Sequence, residues 1–171
     1  MSKELFYENV EMCRSYGDWA ACQLFDALNE RCQSPIETTL LAALLPDLLL
    51  HEEVRAFSFE LNRFQLLPQH EVGPYRLDFA VLYNRNVTRS TRGQIFDMPG
   101  TVRIAVECDG HDFHEKTKEQ AARDKARDRY FTINGWHVLR FAGSEIHADA
   151  NGCSRQVLDA VKTYWEAWET A

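Results

Sequence analysis

A chain of 171 residues carrying 19 basic and 26 acidic side chains, net −7 at pH 7, has the length of one domain and can bury roughly 70% of its unfolded surface. Five cysteines, odd in number and without a CxxC pair, argue against a disulfide framework and a zinc ribbon, and are expected as buried free thiols. The N-terminus lacks a basic-then-apolar signal pattern, and the most hydrophobic stretch, "LLAALLPDLLL", is interrupted by Pro46 and Asp47 and too short for a bilayer, so the expected location is cytoplasmic, with no membrane partner.

In chain order, "DWAACQLFDALNER" predicts a helix with Asp18 as N-cap and an apolar stripe of Trp19, Cys22, Leu24, Phe25 and Leu28. A second helix starts at Ser34 as N-cap, with Pro35 at its first position and Glu37 closing a capping box, and is expected to end at Pro46. "EVGPYRLDFAVLY" then turns to strand around a Gly73-Pro74 break, with Leu77, Phe79, Val81 and Tyr83 expected on one face and Arg76, Asp78 and Ala80 on the other. A polar connection, "NRNVTRSTRGQIFDMPG", leads to a strand, "TVRIAVECD", that alternates Val102, Ile104, Val106 and Cys108 against Arg103, Ala105, Glu107 and Asp109. Helix returns up to Gly135, a natural C-cap, followed by the strand "WHVLRF" and a turn with a short helical piece. A last helix places Val157, Val161, Tyr164, Trp165 and Trp168 on one stripe that docks on the core. The order is α-α-β-β-β-α-β-α, with a parallel crossover over residues 102–141.

Charge is unevenly placed along this order. Residues 1–60 hold 4 of the basic and 11 of the acidic side chains, which leaves 15 of each for the rest. A nucleic-acid-binding face is therefore permitted despite the acidic total, with Arg85, Arg89 and Arg92 in the polar connection as its local basic run.

The acids at the strand ends need a reason. Residues two apart on a strand project to the same side, so Glu107 and Asp109 face together, and Asp78 interrupts an otherwise core-like neighbour. Three such carboxylates would repel one another and raise their own pKa values unless a hard divalent cation, Mg²⁺ or Mn²⁺, joins them.

Gln69, Val72, Gly73, Tyr75, Asp78 and Phe79, then "VECDGHDFHE", then Asp124, Arg127 and Asp128 before "NGWHVLRFAGSEI", resemble the PD-(D/E)XK nuclease superfamily. The narrower resemblance is to its branch of small endonuclease-like proteins related to very short patch repair endonucleases, over residues 34 to about 147. The resemblance implies an α/β, restriction-endonuclease-like αβββαβ core with a mixed sheet, residues 34–171, plus an N-terminal helical extension over residues 1–33 and a C-terminal helix. It implies metal-dependent hydrolysis of phosphodiester bonds in DNA, with RNA not set aside, Asp78 and Glu107 as metal-binding acids and Glu37 as the acid from the preceding helix.

At the motif's lysine position stands Asp109. Lys116 or Lys118 could supply that function from the following helix, and His111 or His114 could act as acid or base. The expected catalytic set is Glu37, Asp78, Glu107, Asp109, His114 and Lys118; the metal set is Asp78, Glu107 and Asp109, with a strand carbonyl at Cys108. Gln69, Arg85, Arg89 and Arg92 are the expected DNA contacts. The competing expectation is a nuclease fold that binds nucleic acid without turnover. The sequence does not set the oligomeric state, a homodimer through the acidic N-terminal helices being one form.

Overall fold

The computed structural model describes residues 4–5, 18–50, 64–84, 86, 98–110 and 118–170. In chain order these form α1 (Asp18–Asn29), α2 (Pro35–Leu50), β1 (Phe64–Val72), β2 (Tyr75–Tyr83), β3 (Val102–Asp109), α3 (Lys118–Ile133), β4 (His137–Ala142) and α4 (Gly143–Glu169). The four strands make one mixed sheet in sequence order, β1–β2 and β2–β3 antiparallel and β3–β4 parallel across α3. This is the α/β architecture expected of a restriction-endonuclease-like core. Among the described residues no helix is long and apolar enough to cross a membrane.

Both faces of the sheet are covered, and its central strands β2 and β3 are buried over most of their length. On one face Phe79, Val81, Tyr83, Ile104 and Val106 pack with Leu40, Leu41 and Leu44 of α2 and with Val157, Val161 and Trp165 of α4. On the other, Ala80, Leu82 and Ala105 leave room for Phe131 of α3 and for Trp136. Gly135, at φ 73°, ends α3 with its own N–H on Thr132 O, and the Trp136 N–H returns to Phe131 O at 2.9 Å. That pair of bonds is a Schellman ending, and it turns the Trp136 ring onto Phe131.

Helix α2 does not stop at Pro46 but continues to Leu50. Proline costs one backbone bond, yet Leu45 and Leu48 on either side are each only 3% exposed. Their burial, about 1.5–3 kcal/mol per side chain, offsets the missing bond. Asp47 accepts a bond from the buried Ser154 hydroxyl at 2.7 Å, tying α2 to α4. Within α4 the backbone leaves helical geometry at Asp149, whose side chain caps the Gly152 N–H at 2.7 Å, so the expected short piece and long helix are present as two segments. Val157, Val161 and Trp165 enter the core as expected, but Tyr164 lies at the margin of the stripe, 37% exposed and stacked on His137. The side chains of Trp19 and Trp168 lie outside the described residues. Cys22, Cys32, Cys108 and Cys153 are free thiols, of which only Cys153 is fully buried.

One turn fixes the β1–β2 hairpin. Gly73 has φ 58° and precedes Pro74, whose ring holds a negative φ, the pattern of a type II′ turn. A Cβ at Gly73 would also run into the Tyr130 hydroxyl. Gly73→Ala is expected to lower stability by roughly 1–3 kcal/mol, the cost of a left-handed non-glycine residue. Gly110→Ala, whose Cβ would meet nothing within 4 Å, serves as the control with no more than about 0.5 kcal/mol lost. Urea denaturation of both variants measures the difference.

Candidate active site

The strand alternation read from the sequence breaks at Asp78. Leu77 packs with Val72 and Trp136 on the α3 face, whereas Phe79, Val81 and Tyr83 point to the α2 and α4 face. Leu77 is thus on the opposite face from the one expected. Across the hairpin, Gln69 adopts φ 53°, and the ladder skips it between Pro68↔Phe79 and His70↔Leu77. A left-handed non-glycine residue costs on the order of 1–3 kcal/mol, so something must hold it there. The Gln69 Nε2 donates to Glu37 Oε2 at 2.8 Å, bridging β1 to the start of α2.

Glu37 is 5% exposed, and it serves the capping box the sequence predicts. Its Oε1 accepts from Ser34 Oγ at 2.8 Å, and its Oε2 accepts from the Gln33 N–H at 2.9 Å as well as from Gln69. Both oxygens are therefore engaged by the chain's own donors. The Gln69 Oε1, on the other side of the amide from the atom bound to Glu37, is buried with no hydrogen-bond partner among the described residues.

Strands β2 and β3 part at the same level. Their pairing ends at Phe79↔Val106, leaving Asp78 and Glu107 facing each other beyond the last rung. Asp78 Oδ2 accepts the Cys108 N–H at 2.7 Å, so this carboxylate fills the gap between the diverging backbones. Glu107, 5% exposed, turns to the α3 face and takes Arg127 Nη2 on its Oε1 at 2.5 Å. Asp109 is half exposed, with Oδ1 3.9 Å from Arg140 Nη1, and Arg140 is held more closely by Asp128 at 2.6 Å.

The electrostatics follow from burial. Burial raises the Asp78 carboxyl above the ordinary range, and the charges of Glu37 and Asp109 add to the rise against the Cys108 N–H and Arg127. Burial pushes Glu107 up to about 7, with Asp78 adding to the rise and Arg127 and Arg140 opposing it. Burial also pushes the Cys32 thiol up to about 12 and Cys108 higher, so neither is a thiolate nucleophile at neutral pH.

Among the described residues no three His, Cys, Asp or Glu side chains form a ready-made metal cage. The donor chemistry nevertheless fits a hard cation. Asp78 and Glu107 are oxygen donors, desolvated and mutually repelling, and the buried Gln69 Oε1 is a further unpartnered oxygen nearby on the Glu37 bridge. His111, His114 and Lys116, and the loop arginines Arg85, Arg89 and Arg92, lie outside the described residues; Lys118 opens α3, but its side chain is likewise outside them. The structure brings Gln69 to Glu37, and Asp78 to the rung facing Glu107.

The sequence named Arg127 among the residues of the resemblance but gave neither it nor Arg140 a place beside the acids. Arg140 is the β4 partner of Glu107 in the parallel ladder, and Arg127 lies one turn before the fully buried Phe131. That i,i+4 spacing was the available signal: a residue one turn from a buried phenylalanine faces the sheet.

The chain belongs to a restriction endonuclease-like family, REase_MTES_1575, whose model matches residues 52–161. The matched span runs from before β1 into α4 and includes Asp78, Glu107, Asp109, Arg127 and Arg140. Glu37 and α2 lie ahead of it. No curated protein and no solved structure matches the chain.

Proposed function

We propose that this member of a restriction endonuclease-like family is a Mg²⁺- or Mn²⁺-dependent endonuclease that hydrolyses phosphodiester bonds in DNA. The observation that carries the reading is the pair of the half-buried Asp78 and the buried Glu107, which stand opposite each other just beyond the last rung between β2 and β3. Buried acids are expensive, and a fold retains them where their charge is used. Asp78 and Glu107, with Asp109, would hold the cation. Bound there, a divalent ion supplies a Lewis acid for the phosphate and lowers the pKa of a coordinated water.

The chain's own groups do the rest. Glu37 and Gln69 keep β1 kinked beside Asp78. His114 of the segment before α3, or Lys118 as the first residue of α3, would move the proton to or from the reacting oxygens. Gln69 lies at the cleft on β1, and Arg85, Arg89 and Arg92 join the two carboxylate-bearing strands and grip flanking phosphates. Replacing these three arginines with alanine is expected to flatten log affinity against log salt by about two to three, at about 0.9 per phosphate contact. Titrations of DNA with both proteins at several salt concentrations measure it; parallel lines would place the DNA elsewhere.

A second reading, a nucleic-acid-binding module without turnover, is favoured by one observation: Asp109 stands where the motif's lysine would be, and an arginine sits on Glu107. Supercoiled plasmid incubated with Mg²⁺, Mn²⁺ or EDTA separates the two. Nicked or linear product with metal alone supports the nuclease, and an intact but gel-shifted plasmid in all three supports the module. The same assay on structured RNA tells the substrates apart.

A further inference from the structure

We propose that Arg127 is a direct ligand of the scissile phosphate, and that in the metal-free protein it rests on Glu107, the carboxylate a cation would claim. The proposal depends on the nuclease reading and adds to it the residue that takes the substrate's charge.

The guanidinium reaches Glu107 from α3 and, among the described residues, makes both its hydrogen bonds through one nitrogen. Nη2 donates to Glu107 Oε1 and, at 2.9 Å, to the Arg76 carbonyl on β2. Nε, on the same edge of the fork, is buried and has no hydrogen-bond partner among the described residues. An arginine held only to fix Glu107 would be expected to use that edge in full, with two parallel bonds to the carboxylate. Here half of the edge is unused, and the group lies over the Phe131 ring at 5.6 Å with 23% of its side chain exposed. The Phe131 face supports the plane while the outer edge stays within reach of solvent.

Charge points the same way. Beyond Glu107 on β3 the next side chain on that face is Asp109, so the end of the strand past Glu107 supplies no cation for a phosphate held there. Arg140, the neighbouring guanidinium, is bound to Asp128 at 2.6 Å. With Glu107 given to a divalent cation, Arg127 would be repelled from it and would lose that carboxylate. The freed guanidinium would then meet phosphate oxygens with Nε and Nη2 together, a match in planar geometry that lysine does not make.

Arg127→Met and Arg127→Lys test this, read by Mn²⁺ affinity in calorimetry, by plasmid cleavage and by melting temperature. Arg127→Met is expected to bind Mn²⁺ as tightly as the wild type or more tightly, because a competing charge is gone. It is expected to cleave about 10²–10³-fold more slowly, the usual loss of one charge-stabilising donor. Arg127→Lys, which keeps charge without the fork, is expected to bind Mn²⁺ like the wild type and to recover only part of the rate. Loss of Mn²⁺ affinity together with melting temperature in Arg127→Met would overturn the proposal, making Arg127 a prop for Glu107. Wild-type cleavage rates in both variants would overturn it while leaving the nuclease reading intact. If Arg127→Met does not fold, an Arg127→Lys variant cleaving at the wild-type rate overturns it alone. A wild-type protein inactive with every metal removes the nuclease reading, and the proposal with it.

Discussion

Asp78→Asn and Glu107→Gln are each expected to slow metal-dependent DNA cleavage by roughly 10³-fold or more while the fold survives. Amides are the informative replacements. The Asp78→Asn side chain keeps an oxygen for the Cys108 N–H, and the Glu107→Gln side chain keeps one for Arg127, but neither carries the charge a divalent cation needs. Alanine would confuse the result, because it leaves the Cys108 amide or the Arg127 guanidinium without its acceptor. A stranded buried donor costs about 1–3 kcal/mol, and more when charged. Circular dichroism melts of the amide variants, run beside the cleavage assay, separate lost chemistry from lost structure. Two amide variants that cleave at the wild-type rate would remove both carboxylates from the mechanism.

The second large effect is a pH dependence of stability in the metal-free protein. Glu107 is held at about 7 in the fold, above the ordinary 4.5 of a glutamate. Between those two values the folded chain binds more protons than the unfolded chain, so stability falls as pH rises through the window. The direction is the reverse of the usual carboxylate case, where a depressed pKa makes stability fall with acid. Asp78, also raised, acts in the same direction. His70 and His137 act oppositely, since burial lowers both and favours their neutral forms in the fold. Comparing the wild type with Glu107→Gln cancels the histidines. Urea denaturation in EDTA at pH 5 and pH 8 is expected to show the wild type losing about 2–3 kcal/mol more than the variant. Equal losses would mean that Glu107 ionises normally. Saturating Mn²⁺ is expected to remove the difference by stabilising the charged form.

How much of this was legible in the sequence depends on how local each signal is. Ser34, Pro35 and Glu37 announce the start of α2, and Gly135 announces the end of α3, because each satisfies backbone groups within four residues of itself. The alternation of β3 was equally readable, since Val102, Ile104 and Val106 all pack on one face. Pro46 misled because its local cost is real, and only the tertiary burial of Leu45 and Leu48 outweighs it. The face reversal between Leu77 and Phe79 lies opposite the left-handed Gln69, whose partner Glu37 stands 32 positions earlier, so no local pattern announces it.

The site divides along the same line. Asp78 and Glu107 stood out as charged residues in apolar strands, a contradiction visible in one dimension. Their partners did not stand out. Arg127 and Arg140 look like surface residues until α3 and β4 are laid beside β3, where each takes an acid of the cleft. The arginines therefore answer a question for which the sequence offered Lys116, Lys118 and the histidines: which cations stand beside the Asp78–Glu107 pair.

The central claim is that Asp78 and Glu107 form a divalent-cation site where β2 and β3 part, and calorimetric titration of Mn²⁺ tests it most directly. At pH 8, where Glu107 is largely ionised, the wild type is expected to bind Mn²⁺ with a saturable heat, to release protons as the pH is lowered toward 7, and to lose that heat in both Asp78→Asn and Glu107→Gln. Undiminished Mn²⁺ affinity in the two variants would contradict the claim.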